Sequence, residues 1–301
     1  MAASASSTTW SRTSTSSSTS DRRLERLAAI VRLVHPFPSI LDGVVVAVVA
    51  LIAGGSPALA FQLGLSMTTL QFSIGALNDL HDAPDDAGRK PGKPIPAGLI
   101  SAPVARGVVV GGAVIGIALA TLVDPRIGLL AAIVLAIGYW YDLLAKGTVW
   151  SWLPFAVGIP ILPVYGWYGA ALVLPSFVGI LIPVAFLASG ALAIANARAD
   201  VERDRAAGTV SVATALGLEG SWRQHARLWA GAIVIALGWL VFRGTEPLAL
   251  APVVVAGGLM AVVVLVARTA GPGGRERAWQ FEAVLAAVGL ACWVLALAQG
   301  T

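Results

Sequence analysis

ALAFQLGLSMTTLQFSIGALNDLHDAPDDAGRKPGKPIPAGLIS, residues 58–101, is an apolar run without a charge as far as Asn78 that ends abruptly in four aspartates and three basic residues. As a helix rising about 1.5 Å per residue, its apolar part is long enough to cross roughly 30 Å of hydrocarbon. The pattern is repeated along the chain. Nine apolar spans are read at 39–56, 58–79, 101–123, 126–144, 150–169, 174–197, 223–242, 247–267 and 278–298. The composition agrees: 57% of the 301 residues are hydrophobic, 12% are charged and the mean hydropathy is +0.82, where soluble domains carry about 25% charged residues. The expected fold class is all-α, a polytopic membrane protein built as a bundle of nine transmembrane helices.

The scarce charge is unevenly placed. With the N-terminus in the cytoplasm, 18 of the 20 Lys and Arg fall in inner segments, leaving only Arg126 and Arg243 outside. The net charge of +4 is therefore an orientation signal, and nucleic acid is not an expected partner. Arginine far outnumbers lysine, which fits a GC-rich bacterium, so an inner-membrane location with the working face toward the cytoplasm is predicted. Cys292 has no partner, and His35, His81 and His225 are too scattered for a zinc motif. Residues 1–24 read as a disordered Ser/Thr-rich tail, not a secretory signal because no apolar core follows directly, though similar in composition to a plastid transit peptide. Residues 25–301 read as one transmembrane domain.

Seven of the 16 acids sit in two inner segments: Asp79, Asp82, Asp85 and Asp86 after span 2, and Asp200, Glu202 and Asp204 after span 6. Each segment repeats one spacing, Asn78, Asp82, Asp86 and Asn196, Asp200, Asp204, which lines one face of a helix. Spans 2 and 6 are four crossings apart, so both clusters lie at the same membrane face, as in a weak parallel repeat of spans 1–4 and 5–8. Pro84 interrupts the first spacing and predicts that its helix ends near Asp82. Carboxylates four residues apart, about 6 Å along a helix, can hold a hard cation, and two facing pairs repel unless cations lie between them. Mg²⁺ prefers one or two carboxylates plus phosphate oxygens, so a Mg²⁺–diphosphate site is expected. Lys90, Lys93, Lys146, Arg203 and Arg205 fall on the same side, placed to neutralise phosphate. Solvated helix ends balancing a basic loop would be the bland alternative, and it gives no reason for two matched clusters.

These segments resemble the UbiA superfamily of intramembrane prenyltransferases. Its first signature, N-D-x-x-D-x-x-x-D followed by R-P-x-R-P-[IL]-P-[SA]-G-x-[IL]-S, is matched in spacing by NDLHDAPDDAGRKPGKPIPAGLIS at 78–101, with Lys90 and Lys93 for the usual arginines and Arg89 for a frequent asparagine. The second is matched by DVERDRAAGTVSVATALG from Asp200, with Ala197 where a third aspartate often stands. A tyrosine five residues before a lysine is matched by Tyr141 and Lys146 in YWYDLLAKG. The resemblance runs over about residues 25–298 and implies a polyprenyl diphosphate held by Mg²⁺ on Asn78, Asp82, Asp86, Asp200 and Asp204. It also implies Lys90, Lys93, Tyr141, Lys146 and Arg205 on the diphosphate. Asp82, Asp86, Asp200, Asp204 and Lys146 would carry ionisation to an allylic carbocation, captured by an acceptor. Aromatic acceptors of the hydroxybenzoate, homogentisate or naphthoate type are the family's commonest, with lipid or sugar-phosphate acceptors as further options.

Outside the motifs, Asp42 lies about one turn into span 1 and Asp142 lies beside Tyr141, so both are candidates for the acceptor pocket. His81, Trp167, Tyr168 and the tract RTAGPGGRER (268–277) are assigned no chemistry, and most of the ten tryptophans, among them Trp150, Trp152, Trp222 and Trp279, are read as interfacial anchors in contact with membrane lipid. Two rival functions remain at this stage, a terpene cyclase of the same superfamily and a cation-coupled transporter. A purely structural scaffold is the least satisfactory, because it leaves the clustered acids unexplained.

Overall fold

The computed structural model describes residues 19–88, 90 and 92–299, and every regular element among them is helical. In chain order these are α1 (Thr19–Leu33), α2 (Pro36–Ile52), α3 (Pro57–Asp86), α4 (Ala102–Thr121), α5 (Pro125–Trp140) continued by a π-helical turn (Tyr141–Ala145), α6 (Leu153–Gly158), α7 (Ile161–Ala171), α8 (Val178–Ala199), α9 (Val201–Ala207), α10 (Val212–Phe242), α11 (Pro247–Val266) and α12 (Pro272–Ala298). Several starts are written into the sequence as a capping side chain followed by proline. Ser56 accepts from the Leu59 N–H ahead of Pro57, and Asp124 accepts from the Arg126 N–H at 2.8 Å ahead of Pro125. The cap satisfies an orphan donor, and proline's missing N–H costs nothing at the first helical position. α10 opens on a reciprocal capping box between Ser211 and Thr214. α1 begins inside the stretch read as a tail, while residues 1–18, and with them most of that tail, lie outside the described residues, as does Arg89.

Among the described residues, seven helical stretches are long and apolar enough to cross a membrane, or eight if the pair Arg23–Leu33 and Pro36–Ile52, bent by 56° across His35, is one span. The count of nine is thus an approximation, and α3, the second span, accounts for the difference. At 30 residues it is long enough, but it carries a polar seam. Gln62 donates to the Leu119 carbonyl at 2.9 Å, Ser66 to the Gly116 carbonyl at 2.7 Å, and Ser73 to the Val109 carbonyl at 2.6 Å. The hydroxyls of Tyr165 and Tyr139 meet Ser66 and Ser73, each at 2.7 Å. Polar residues of this kind bind helices together in hydrocarbon, so α3 is a central strut with its polar seam turned toward α4, α5 and α7. Against α2 it comes backbone to backbone: a Cβ on Gly43 would meet the Gly64 carbonyl oxygen at 2.7 Å, and one on Gly64 would meet the Gly43 oxygen at 2.8 Å.

Among the described residues, the two larger of three hydrophobic cores lie on either side of the bundle. One joins α2, α3, α4, α5 and α7 through residues such as Leu63, Met67, Leu70, Ile127 and Tyr165. The other joins α8, α10, α11 and α12 through Leu181, Trp229, Leu240, Met260, Trp293 and Leu297. Span 5, which the repeat reading groups with the second half, packs through Leu162 and Tyr165 into the first core. The division between cores therefore falls after α7.

Candidate active site

Between the two cores lies a cavity of about 740 Å³. The C-terminal ends of α3 and α8 both line it, which brings Asn78 and Asp82 into one space with Asn196, Asp200 and Asp204. Lys90, Lys93, Lys146 and Arg203 line the same cavity. Beyond this polar rim the walls are apolar, with Val184, Leu192, Ile233, Val253, Met260 and Trp293. The two matched acid segments of the sequence thus share one space.

The first segment departs from expectation in its helix. α3 does not stop near Asp82 but runs through Pro84 to Asp86, since proline forfeits only one backbone bond in what is already the last turn. The extra turn carries Asp86 away from the cavity. Its buried carboxyl pairs with Lys90 at 2.9 Å, and it is not among the lining residues. Asp82 pairs with Lys146, and the Asn78 amide donates to Asp142 Oδ1 at 2.8 Å. Asp79, which the sequence reading passed over, is only 2% exposed and is held between Lys93 and His35, whose Nε2 lies 2.7 Å from Oδ1. A signal was present: His35 stands immediately before the Pro36 that starts α2, in a left-handed conformation with φ 48° that fixes the bend. Lys93 is presented by a tightly turned loop. Ala97 and Leu99 donate to the carbonyls of Lys93 and Pro94 at 3.2 and 3.0 Å, Gly98 supplies the left-handed φ of 71°, and Ile100 anchors the loop against Ala76 and Ala105.

The second segment is not one continuous helical face. α8 ends at Ala199, Asp200 occupies the break with φ −102° and ψ 0°, and Asp204 belongs to α9. Asp200 pairs with Arg203. Burial beside the cavity raises the Asp204 carboxyl above the usual carboxylate range, opposed by a hydrogen bond from Ser211 and by the charges of Lys90, Arg203 and Lys146. Arg205 is exposed and lies outside the cavity lining.

The break at Asp200 is clamped from a tract that the sequence reading left without a role. Arg275, on α12, donates from Nε to the Arg198 carbonyl and from Nη1 to the Ala270 carbonyl, each at 2.8 Å, and pairs through Nη2 with Glu202. One nearly buried guanidinium therefore ties the end of α8, the start of α9 and the loop before α12 together. Burial pushes the Glu202 carboxyl up, but the bond from Arg275, a backbone bond and the charges of Arg275 and Arg205 outweigh it and hold the carboxyl below its usual range. Arg275→Ala is expected to lower the opening free energy of residues 198–207 by about 1.5–3 kcal/mol, the worth of hydrogen bonds to charged groups. Hydrogen exchange read by mass spectrometry checks this, with faster exchange confined to that segment as the expected result.

No group of three His, Cys, Asp or Glu among the described residues converges closely enough to enclose a metal ion on its own. The donor set is an open one: Asp82, Asp200 and Asp204 with two asparagine amides face a shared space. Such oxygen donors fit a hard divalent cation whose remaining positions are filled by phosphate oxygens. Lys90, Lys93, Lys146 and Arg203 supply the positive charge an anionic ligand needs, and each pairs with an acid. Tyr141 lines the cavity, its ring set edge-on to Phe155 with centroids 4.8 Å apart. Asp42 and Asp142 also line it, from α2 and from the π-helical turn.

His81 is exposed, and Trp167 packs on Phe177. Of the tryptophans read as anchors, Trp150 is exposed, but Trp222 donates to the Val264 carbonyl at 2.9 Å and carries Arg268 over its ring. Trp279 packs against Phe37 at the cavity edge.

A profile of the UbiA prenyltransferase family matches residues 43–285 of the sequence. No curated protein matches. Among solved structures, a UbiA homologue from Archaeoglobus fulgidus bound to DMAPP and Mg²⁺ is similar with a TM-score of 0.68 at 17% identity, covering 88% of this chain and 98% of that one. A UbiA homologue from Aeropyrum pernix K1 gives 0.66 at 20% identity, covering 89% and 97%. A digeranylgeranylglyceryl phosphate synthase gives 0.67 at 15% identity, covering 91% and 99%. At these identities the likeness establishes the fold.

Proposed function

Since the chain belongs to the UbiA prenyltransferase family, we propose that it transfers a polyprenyl group from a prenyl diphosphate to an acceptor, most often an aromatic one in this family, within the membrane and with Mg²⁺ as cofactor. The observation that carries this reading is the meeting of both acid segments and four basic side chains at the mouth of one apolar cavity. The relative from Archaeoglobus fulgidus, bound to DMAPP and Mg²⁺, supports it.

In this reading Asp82, Asp200 and Asp204, with Asn78 and Asn196, would hold Mg²⁺, which would supply positive charge to the diphosphate leaving group. Lys90, Lys93, Lys146 and Arg203 bind the diphosphate oxygens, and Tyr141 forms the adjoining wall. Asp86 acts from behind, by holding Lys90, and Arg205 is left outside. The allylic C–O bond breaks with its electron pair leaving on diphosphate. An electron pair of the acceptor then closes the new bond to the prenyl carbon, and the acceptor gives up a proton. Prenyl diphosphate and acceptor are thus converted to prenylated acceptor, diphosphate and a proton. The apolar walls accommodate the isoprenoid tail and keep water from the cation. Asp42 and Asp142 belong to the acceptor side. The excess of basic residues at the mouth supports the reading that it opens to the cytoplasm, in a bacterial inner membrane.

The direct test is the purified protein in lipid vesicles with labelled geranylgeranyl diphosphate, with and without Mg²⁺, alongside mass spectrometry of lipids from expressing cells. Mg²⁺-dependent diphosphate release with a new prenylated lipid is expected. A cyclic hydrocarbon formed without acceptor would select cyclisation, and solute movement without diphosphate release would select transport.

A further inference from the structure

The cavity wall opposite the α8–α12 core carries two carboxyl groups that the proposed donor chemistry does not use. Asp142 is 1% exposed; Asn78 occupies its Oδ1, while Oδ2 has no hydrogen-bond partner. Asp42, six residues into α2, lines the same cavity, and no hydrogen bond or ion pair engages its carboxyl among the described residues. Gln71 lines the same cavity, and its amide finds only the Met67 sulfur, at 3.9 Å. A buried carboxyl oxygen without a donor is costly, and a cavity-facing one is satisfied by a ligand that brings the donor.

The positive charge of the cavity is already committed. Lys93 is held by Asp79, Lys146 by Asp82, Lys90 by Asp86 and Arg203 by Asp200. When a diphosphate enters, these are the groups that must meet it. No lysine or arginine among the described lining residues is left over for a second anion. An acceptor with a carboxylate would therefore bring a negative charge that no cation meets into a poorly solvated site beside the carboxyls of Asp42 and Asp142, which is unfavourable.

We propose that the acceptor is a hydroxylated compound without an acid group, a hydroquinone or phenol type, whose hydroxyls donate to Asp42 and to the open oxygen of Asp142. This rests on the prenyl-transfer reading above and departs from the carboxylated aromatic acceptors commonest in the family. Asp42 and Asp142 are here specificity-determining residues.

The experiment compares acceptor pairs that differ only in the acid group, 1,4-dihydroxynaphthalene against 1,4-dihydroxy-2-naphthoate and phenol against 4-hydroxybenzoate. The full chain in vesicles is used with geranylgeranyl diphosphate and Mg²⁺. The uncharged member of each pair is expected to have the higher kcat/KM by about tenfold or more. Asp42→Asn, which keeps an acceptor oxygen but removes the charge, is expected to raise kcat/KM for the carboxylated member by about tenfold while leaving the KM for the prenyl diphosphate in place. A gain of this kind cannot come from misfolding. Preference for the carboxylated member in the wild type would overturn the proposal, as would no change in the acceptor ratio in both Asp42→Asn and Asp142→Asn. Diphosphate release with neither member of either pair prenylated would also overturn it, while leaving the donor reading intact. Absence of any Mg²⁺-dependent diphosphate release would remove the prenyl-transfer reading itself.

Discussion

Asp82→Asn is expected to cut prenyl transfer by about 10²–10³-fold in kcat, the usual cost of removing one group that stabilises developing charge in a water-excluded site. The substitution keeps the size and shape of the side chain. What it removes is one negative charge from the mouth and the partner of Lys146. Lys146 pairs with Asp82; under the proposed reaction both would act on the leaving diphosphate, Asp82 through the cation and Lys146 directly. An asparagine oxygen is a weaker ligand for a hard cation, so part of the loss should be recovered at high Mg²⁺. Asp82 is half-buried at a cavity edge, and its replacement should leave the melting temperature within a few degrees of wild type. Steady-state transfer of a labelled prenyl group over a Mg²⁺ series, with thermal melting as the control, checks both parts. Full activity in Asp82→Asn would leave the acid mouth without its assigned role.

The sequence was most legible where a residue's environment is set by its neighbours in the chain. Apolar length gave the helices, and the Asn–Asp spacing gave the two segments that the cavity unites. The less legible features are those decided by partners far along the chain. The polar seam of α3 is tolerated inside the bundle because Ser66 and Ser73 are matched by Tyr165 and Tyr139, 99 and 66 residues away. Pro84 looked like a terminator on local grounds, but the lost bond falls in a last turn that the ion pair from Asp86 to Lys90 extends. Asp79 sits in the motif, yet its role depends on His35 and Lys93, which reach it from a helix bend and from a folded loop. Arg275 is one arginine in a glycine-rich connection until the fold brings it against the Arg198 carbonyl and Glu202. Spacing along a helix also says nothing of where the helix breaks, so Asp200 and Asp204 share a cavity across a kink rather than along one face.

Glu282→Ala is expected to do the opposite of Asp82→Asn, costing stability first and activity as a consequence. Glu282 on α12 is completely buried, with His225 Nε2 2.7 Å from its Oε2 and the Trp229 indole N–H donating to the same oxygen at 3.0 Å, both from α10. Alanine leaves two donors in hydrocarbon with no acceptor and a void beside them. Breaking one side of a buried polar pair typically costs about 3–5 kcal/mol, which predicts a fall in melting temperature on the order of 10 °C. The cost is that of the orphaned partners and not the worth of the pair. It follows that Glu282→Leu combined with His225→Leu, which removes both polar ends, should recover much of the lost stability, as apolar replacement of buried pairs commonly does. Trp229 is not recovered in that double variant, and its ring lines the cavity. The double variant is therefore expected to melt near wild type yet bind long prenyl diphosphates with a raised KM, because the wall that Glu282 holds in place is free to turn. Melting curves for the single and double variants, followed by donor KM for two prenyl chain lengths, separate the two effects. Equal destabilisation in the single and double variants would mean that packing, not the polar cluster, holds α10 against α12.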